Sequence, residues 1–235
     1  MAEELVRYAL HDRVAVLNID DGKANALSPT LIAALHAGLD RAEREAGAVM
    51  LVGRPGRFSA GFDLSIMTSG LEGLRGLVKA GAELLLRIYL YPRPVVTACT
   101  GHALAAGALV LLASDLRVGA RGQFKIGLNE VAIQLTLPVF GMELARDRLA
   151  PRWFTAATTQ ARVFDPETAC EAGYLDLLAE PEAVQTAALA EATRLASLPH
   201  PAFRETKRRE RQAMVDRVRA TLDQDIATLT TPVPG

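Results

Sequence analysis

Two stretches of this 235-residue chain combine residue types that suit chemistry on a developing negative charge. Residues 101–107 (GHALAAG) form a turn of small or apolar side chains, apart from His102, between a β-branched run and an Ala- and Leu-rich run. Such a turn leaves backbone N–H groups bare at a helix N-terminus, which favours an anion. Glu130 lies in the second stretch, residues 127–131 (GLNEV), among apolar neighbours. A carboxylate in such surroundings has a raised pKa and can move a proton.

Both stretches also have plainer interpretations. Glycine-rich turns are mostly only turns, and residues 101–107 lack the GxGxxG pattern of a dinucleotide site. Glu130 also suits a helix N-terminus, where the helix dipole favours an acidic residue. His102 is typical of a structural histidine, and Asp115, after a buried helix, is typical of an acceptor that holds the fold.

Composition limits the class of protein. Half of the residues are hydrophobic, which allows a sizeable core, and 26 Lys and Arg against 27 Asp and Glu argue against a general nucleic-acid surface. Two cysteines without metal spacing or a disulfide framework suit a reducing cytoplasm. The first residues lack the pattern of a signal peptide, and no apolar run approaches the roughly 18–20 residues of a membrane helix. We therefore expect a cytoplasmic protein.

Hydrophobic periodicity and turn residues predict alternating strands and helices, the order expected of a mostly parallel α/β core. Ser28 and Pro29 suit the start of a helix, as N-cap and first helical residue. The predicted strands are Val14–Ile19, Ala48–Val52, a run beginning at Val95, and residues 116–119 and 174–178. The predicted helices cover residues 28–47, 77–89, 103–115, 138–149, 151–159, 166–172, 182–198 and 202–229, before a tail at 231–235 that we expect to fray.

Four stretches in order resemble the crotonase superfamily, the enoyl-CoA hydratase/isomerase family. They are residues 23–28 (KANALS), 58–64 (FSAGFDL), 101–107 and 127–131. The resemblance implies an α/β fold, a spiral of ββα units with a C-terminal helical region that forms trimers, which often pair into hexamers. We expect a core over residues 1–180 and the helical region over residues 181–235, packed on a neighbour.

The resemblance also implies chemistry on acyl-CoA thioesters, with an enolate held by two backbone N–H groups. By position these donors are Phe62 and Ala106, and Glu130 falls on the family's catalytic glutamate. One such donor contributes roughly 3–4 kcal/mol to the transition state. Coenzyme A enters only as part of the substrate, and neither a metal nor another cofactor is implied.

Further residues match segments that line the substrate path. Asp63 fits two roles, lining the site or capping the next turn, and Lys207 also fits two, a solvated helix face or a contact to CoA phosphates. We expect residues 71–90 to border the acyl pocket. The full set of substrate-binding candidates is Lys23, Ala24, Ala26, Ser59, Ala60, Gly61, Asp63, Leu64, Leu104, Gly107, Leu109, Ile133 and Lys207.

Leu109 departs from the hydratase pattern, because hydratases of the family carry a second glutamate at this position. Adding water normally takes two carboxylates that hold one water, whereas a 1,3-proton shift needs one base that removes a proton from C2 and returns it at C4. The single glutamate favours Δ3-Δ2-enoyl-CoA isomerisation. A hydratase that uses Glu130 alone and a silent acyl-CoA-binding protein are the alternatives.

Overall fold

The computed structural model describes residues 5–230, whose strands divide between two sheets. The strands are β1 (Val6–His11), β2 (Val14–Ile19), β3 (Ala48–Val52), β4 (Gly56–Ser59), β5 (Val95–Cys99), β6 (Gly101–Leu104), β7 (Leu116–Ala120), β8 (Ile126–Gly127) and β9 (Leu177–Ala179). The larger sheet has the order β1-β2-β3-β5-β7-β9 and the smaller the order β4-β6-β8. Only β1 and β2 pair antiparallel among these strands; the rest are parallel.

Helices connect the successive groups of strands. They are α1 (Pro29–Glu45), α2 (Leu64–Met67), α3 (Leu71–Tyr89), α4 (Ala106–Ala113), α5 (Val139–Arg148), α6 (Phe154–Ala157), α7 (Pro166–Ala172), α8 (Val184–Ala196) and α9 (His200–Thr228). Strand pairs β3–β4, β5–β6 and β7–β8 each send one strand to the larger sheet and the next to the smaller, before a helix follows. This repetition is the predicted crotonase-like spiral of ββα units, and the α/β fold class is confirmed.

The central strands β3 and β5 are buried along their whole length because helices cover both faces of the larger sheet. Leu17 and Leu51 point into the main core, whereas Val16 and Met50, one residue earlier in each strand, point to the opposite face. Helix α8 covers that second face with small residues. These are Ala188, Ala192 and Ala196, all fully or almost fully buried.

Several local predictions are confirmed at residue level. The strands at Val14–Ile19 and Ala48–Val52 have the predicted bounds. Ser28 caps α1, with its Oγ accepting a hydrogen bond from Leu31 N at 3.2 Å. Gly173 ends α7 in a left-handed conformation with φ 99°.

The predicted helix over residues 103–115 is wrong in its first part. Residues Gly101–Leu104 form β6, the central strand of the smaller sheet, and α4 begins only at Ala106. Pairing with strands distant in sequence overrides the helical preference of Ala and Leu. Gly101 permits this pairing, since a Cβ there would lie 2.0 Å from the carbonyl carbon of Gly56.

Other boundaries also differ from the predictions. Helix α3 begins at Leu71, six residues before the predicted start, because Gly73 and Gly76 do not interrupt it. Strand β9 begins at Leu177 rather than at residue 174. The sequence analysis did not find β1, β4 or β8, and the predicted frayed tail lies outside the described residues.

The C-terminal helices pack on the core of their own chain. Helix α8 lies on the larger sheet, and α9 contacts α3 and α5. The division at residue 180, the contact with a neighbouring subunit, and the trimer or hexamer stay predictions. No helix within residues 5–230 has the length and apolar content needed to cross a bilayer.

A buried cluster of charges joins α9 to the core. Asp115 accepts hydrogen bonds from Val95 N at 2.7 Å and from Lys207 Nζ at 2.8 Å, and Arg211 pairs with its other oxygen at 2.9 Å. The side chains of Lys207 and Arg211 are only 4% and 5% exposed. The Arg211 guanidinium also lies 4.6 Å above the ring of Tyr89 and donates to the Tyr89 carbonyl oxygen. Asp115 is therefore the fold-holding acceptor that its position predicted.

Replacing Asp115 with asparagine should leave two buried cations without a counter-ion. Removing one partner of a buried ion pair lowers the free energy of unfolding by about 3–5 kcal/mol, whereas an exposed pair contributes about 0–1 kcal/mol. Urea unfolding of Asp115→Asn against Glu205→Gln, which removes the exposed partner of Arg208 on the same helix, measures the difference. Equal losses in the two variants would contradict the structural role of the cluster.

Candidate active site

A narrow cavity of about 150 Å³ lies between α2, α3, α4, α5 and the end of α9. Its lining is mainly apolar, which suits a hydrocarbon chain. The lining residues are Ala60, Phe62, Leu64, Met67, Leu74, Val78, Ala105, Leu109, Asn129, Glu130, Ile133, Leu135, Thr136, Pro138, Phe140, Leu229 and Thr230. The structure thus brings together six of the residues that the sequence analysis selected: Phe62, Ala60, Leu64, Leu109, Glu130 and Ile133.

Glu130 is the ionisable side chain of this lining. The residue is 8% exposed, and its Oε2 atom has no hydrogen-bond partner within the described residues. Burial raises the pKa of Glu130 to about 7, because the apolar surroundings disfavour the charged form. Its carbonyl oxygen accepts hydrogen bonds from Ile133 N at 3.0 Å and Leu135 N at 2.9 Å, which fix the backbone after the carboxylate. The backbone of Glu130 is therefore fixed by hydrogen bonds, and its buried carboxyl has a pKa of about 7.

Two backbone N–H groups lie beside the cavity, one in the lining residue Phe62 and one in Ala106, which follows the lining residue Ala105. Leu27 N donates to Gly61 O at 2.8 Å and Asp63 N donates to Leu27 O at 3.1 Å. Because successive amides of an extended segment point to opposite sides, the N–H of Phe62 points away from Leu27. The N–H of Ala106 belongs to the first turn of α4, where helical amides lack a partner. Neither N–H has an acceptor among residues 5–230.

Close packing at Gly61 brings these two amides together. A Cβ on Gly61 would lie 2.8 Å from Ala105 Cβ and 3.3 Å from Ala106 N, and its φ of 98° favours glycine. Ala105 itself has φ 48° and ψ −125°, a conformation that costs a residue with a side chain of order 1–3 kcal/mol. This turn ends β6 and starts α4 within one residue, which directs the Ala106 N–H out of the smaller sheet.

Ser59 and Gly107 hold this junction without lining the cavity, and Ala60 connects it to an earlier part of the chain. Ser59 Oγ donates to Asn25 O at 2.8 Å, and Ala60 N donates to Ala24 O at 3.0 Å, so the first two sequence motifs are bonded to each other. Gly107 packs on Ser59, because a Cβ there would lie 2.4 Å from Ser59 O.

A basic groove continues from the cavity at Ala60. It consists of two adjoining hollows of about 400 and 450 Å³ that share Ala24 and Arg57. The residues of the groove are Gly22, Lys23, Ala24, Arg54, Pro55, Arg57, Ala60, His102, Leu104 and Lys125. The predicted residues Lys23, Ala24 and Leu104 lie here.

The sequence analysis did not identify three cationic residues of this groove, which are Arg54, Arg57 and Lys125. Arg54 and Arg57 flank the 58–64 motif directly, which is the signal that could have found them. Arg54 donates to Lys23 O at 3.0 Å. Partial burial and the positive charges of Arg57 and Lys125 lower the pKa of His102. His102 is structural as predicted, since its Nδ1 accepts from Lys125 N at 2.9 Å.

Three predicted residues lie apart from the cavity and the groove. Asp63 caps α2, where its Oδ1 accepts from Ser65 N at 2.9 Å, so of its two predicted roles the structure shows the cap. Ala26 lines neither the cavity nor the groove and donates its N–H to Asp21 at 3.1 Å. Lys207 is buried against Asp115, which corrects both of its predicted roles: it faces neither solvent nor the groove.

Comparison with known proteins agrees with this geometry. A family model described as enoyl-CoA hydratase/isomerase matches residues 10–233, and the chain belongs to this family, part of the crotonase superfamily. The human protein named enoyl-CoA delta isomerase 1, mitochondrial, is 30% identical over 218 residues, which cover 91% of this chain and 72% of that protein. A probable enoyl-CoA hydratase of Bacillus subtilis is 35% identical over 130 residues, 54% of this chain and 50% of the relative.

A solved structure extends the similarity to the whole fold. The crystal structure of an enoyl-CoA hydratase/isomerase family protein from Pseudomonas syringae superposes with a TM-score of 0.94 at 43% identity. The match covers 97% of this chain and 99% of that one. The crotonase fold is thus shared over nearly the full length of both chains.

Glu130 should make the folding stability depend on pH. Its folded-state pKa is raised from 4.5 to about 7, so the folded state is favoured below pH 4.5 and loses this advantage as the pH rises through 7. At about 1.4 kcal/mol for each pH unit, the loss is roughly 3 kcal/mol. The glutamine of Glu130→Gln is uncharged at every pH. The free energy of unfolding of this variant, relative to that of the native protein, should therefore increase by roughly 3 kcal/mol between pH 4.5 and pH 8.

Denaturant unfolding at a series of pH values measures this difference. The control is Glu171→Gln, which removes an exposed carboxylate that pairs loosely with Arg152. A Glu130→Gln difference that stays constant with pH would show that the Glu130 carboxyl is not desolvated in solution.

Proposed function

We propose that this protein moves the double bond of a 3-enoyl-CoA thioester to the 2-position. The observation that carries the proposal is one buried carboxyl, Glu130, in an apolar cavity that Phe62 and Ala105 also line, with the amides of Phe62 and of the next residue, Ala106, left without acceptors in residues 5–230. Leu109 lines the same cavity and is 1% exposed, so the position of the second hydratase glutamate is apolar here. The similarity to the human delta isomerase supports the same reaction.

In the proposed mechanism the thioester carbonyl oxygen accepts hydrogen bonds from Phe62 N and Ala106 N. The Glu130 carboxylate removes a proton from C2, and the electron pair of the C–H bond delocalises over the carbonyl and the C3–C4 double bond. The two amides stabilise the resulting dienolate oxygen, because fixed dipoles in a dry site need no reorganisation. The protonated Glu130 then returns the proton to C4, which leaves the double bond between C2 and C3. One carboxyl group completes the cycle.

The CoA part of the substrate fits the basic groove. Its phosphate groups carry several negative charges, and the groove presents Lys23, Arg54, Arg57 and Lys125. The groove meets the cavity at Ala60, beside Phe62, so a thioester could lie between the two. Remote binding of this kind positions the reacting carbons against Glu130.

Hydration of a 2-enoyl-CoA is a second candidate, favoured by one specific observation. Asn129 and Glu130 are consecutive residues that both line the cavity. Asn129 Oδ1 and Glu130 Oε2 are buried hydrogen-bond acceptors, and neither has a donor among the described residues. A water molecule has two hydrogens and would satisfy both acceptors. The similarity to a probable enoyl-CoA hydratase is in keeping with this reaction.

Glu130→Gln should lose about 10²–10⁴-fold in kcat for isomerisation of 3-hexenoyl-CoA, because an amide accepts no proton at this pH. The affinity for hexanoyl-CoA should change less than twofold, since the amide keeps the size of the carboxyl. Turnover of 3-enoyl, 2-enoyl and 3-hydroxyacyl thioesters by the native protein decides between the candidates.

Three results of these assays would each contradict a part of the proposal. Undiminished turnover by Glu130→Gln removes Glu130 from the mechanism. Water addition to crotonyl-CoA that exceeds isomerisation selects the hydratase. Tight binding of all thioesters without turnover selects a protein that only binds acyl-CoA.

Arg57→Ala should raise KM for the CoA substrate about fivefold to tenfold, and added salt should reduce the difference, because the lost interaction is with phosphate. The thioester of N-acetylcysteamine lacks the nucleotide and should show no such change. Arg41→Ala, which removes an exposed cation of α1, is the control. An equal KM increase with both thioesters would place Arg57 outside the CoA contact.

A further inference from the structure

The end of α9 lines the cavity and does not border the basic groove. The groove joins the cavity at Ala60, whereas hydrogen bonds from Arg75 and Val139 place Leu229 and Asp225 beside α3 and α5. Helix α9 ends at Thr228, and Leu229 leaves the helical conformation at φ −66° and ψ 137°. The residue is 7% exposed, so its side chain is enclosed by the cavity walls.

A side chain of α3 and a backbone N–H of α5 hold the end of α9 in this position. Arg75 of α3 donates from Nη2 to Ala227 O at 2.6 Å and to Leu229 O at 3.3 Å. Asp225 accepts a hydrogen bond from Val139 N, at the start of α5, at 2.7 Å. The same two helices contribute Leu74 and Phe140 to the cavity. Helices α3 and α5 therefore both enclose the cavity and fix the end of α9.

We propose that Leu229 is the stop for the acyl chain and that Arg75 positions it. The inference rests on the proposed function in one respect, that the acyl part of a thioester occupies the cavity. An apolar cavity of about 150 Å³ in another protein holds a molecule of benzene, which has six carbons. The size therefore matches acyl chains of about six to eight carbons, and longer chains would have to displace Leu229.

Binding of saturated acyl-CoAs tests the stop without turnover. For the native protein, the affinity should rise about fourfold with each methylene from butanoyl-CoA to hexanoyl-CoA or octanoyl-CoA. It should then fall for decanoyl-CoA and dodecanoyl-CoA. Leu229→Ala should move the optimum at least two carbons longer, with a tenfold or larger gain in the ratio of dodecanoyl-CoA to octanoyl-CoA affinity. Leu229→Phe should move the optimum shorter.

Leu198→Ala is the matched control, because Leu198 is an exposed leucine after α8. This variant should not change the length profile, which is the dependence of affinity on acyl-chain length. Length profiles that coincide for the native protein, Leu229→Ala and Leu229→Phe would overturn the proposal. If the length profiles shift as expected but no 3-enoyl-CoA is isomerised, the proposed reaction fails and the stop stands. If isomerisation proceeds with coinciding profiles, the stop alone fails.

Arg75→Gln separates positioning from simple stability. Loss of the guanidinium should release Leu229 and broaden the length profile toward decanoyl-CoA, as Leu229→Ala does, with kcat for 3-hexenoyl-CoA within twofold of the native value. Arg75→Lys keeps a donor and should restore much of the native profile. An Arg75→Gln protein that is folded, as judged by its circular dichroism, and keeps the native profile would remove Arg75 from this role.

Discussion

The close approach of the Gly61 backbone to the start of α4 is the constraint on which the site depends. Sheet pairing carries residues 101–104 beside β4, and only a glycine at 61 leaves room for Ala105 and Ala106. The contact brings the amides of Phe62 and Ala106 near each other beside the cavity, while the loop after β8 brings Glu130 to its lining. None of these groups is near another in sequence, so the spiral of strands is what assembles the site.

Burial of Glu130 links chemistry to stability. The apolar walls that raise its pKa to about 7 make the charged form unfavourable for the folded protein. In the proposed reaction, the charged form is the one that accepts a proton. A second carboxylate at Leu109 would add a like charge inside the same cavity, so the leucine limits the electrostatic strain on Glu130.

The sequence predicted the features that neighbouring residues determine, such as the Ser28 cap and the buried strands. Glu130, Phe62 and Ala106 were selected through the resemblance to a family, and their catalytic roles stay predictions. Strand β6 was missed because its partners are 45 residues earlier and 23 residues later, as between Arg57 and His102 or His102 and Lys125. Lys207 was misplaced for the same reason, since its partner Asp115 is 92 residues away. The charge pattern of one helix does not indicate which face a distant carboxylate will cover.

The two amides at the cavity wall have a consequence for experiments that map function by mutation. A peptide N–H is present whatever residue occupies the position, so an alanine scan would leave the amide of residue 62 intact and would not change residue 106 at all. Under the proposed mechanism, such a scan would detect Glu130 and would overlook both amide donors. Replacing a single peptide bond by an ester, which deletes the N–H and keeps the side chain, is the substitution that makes these donors visible.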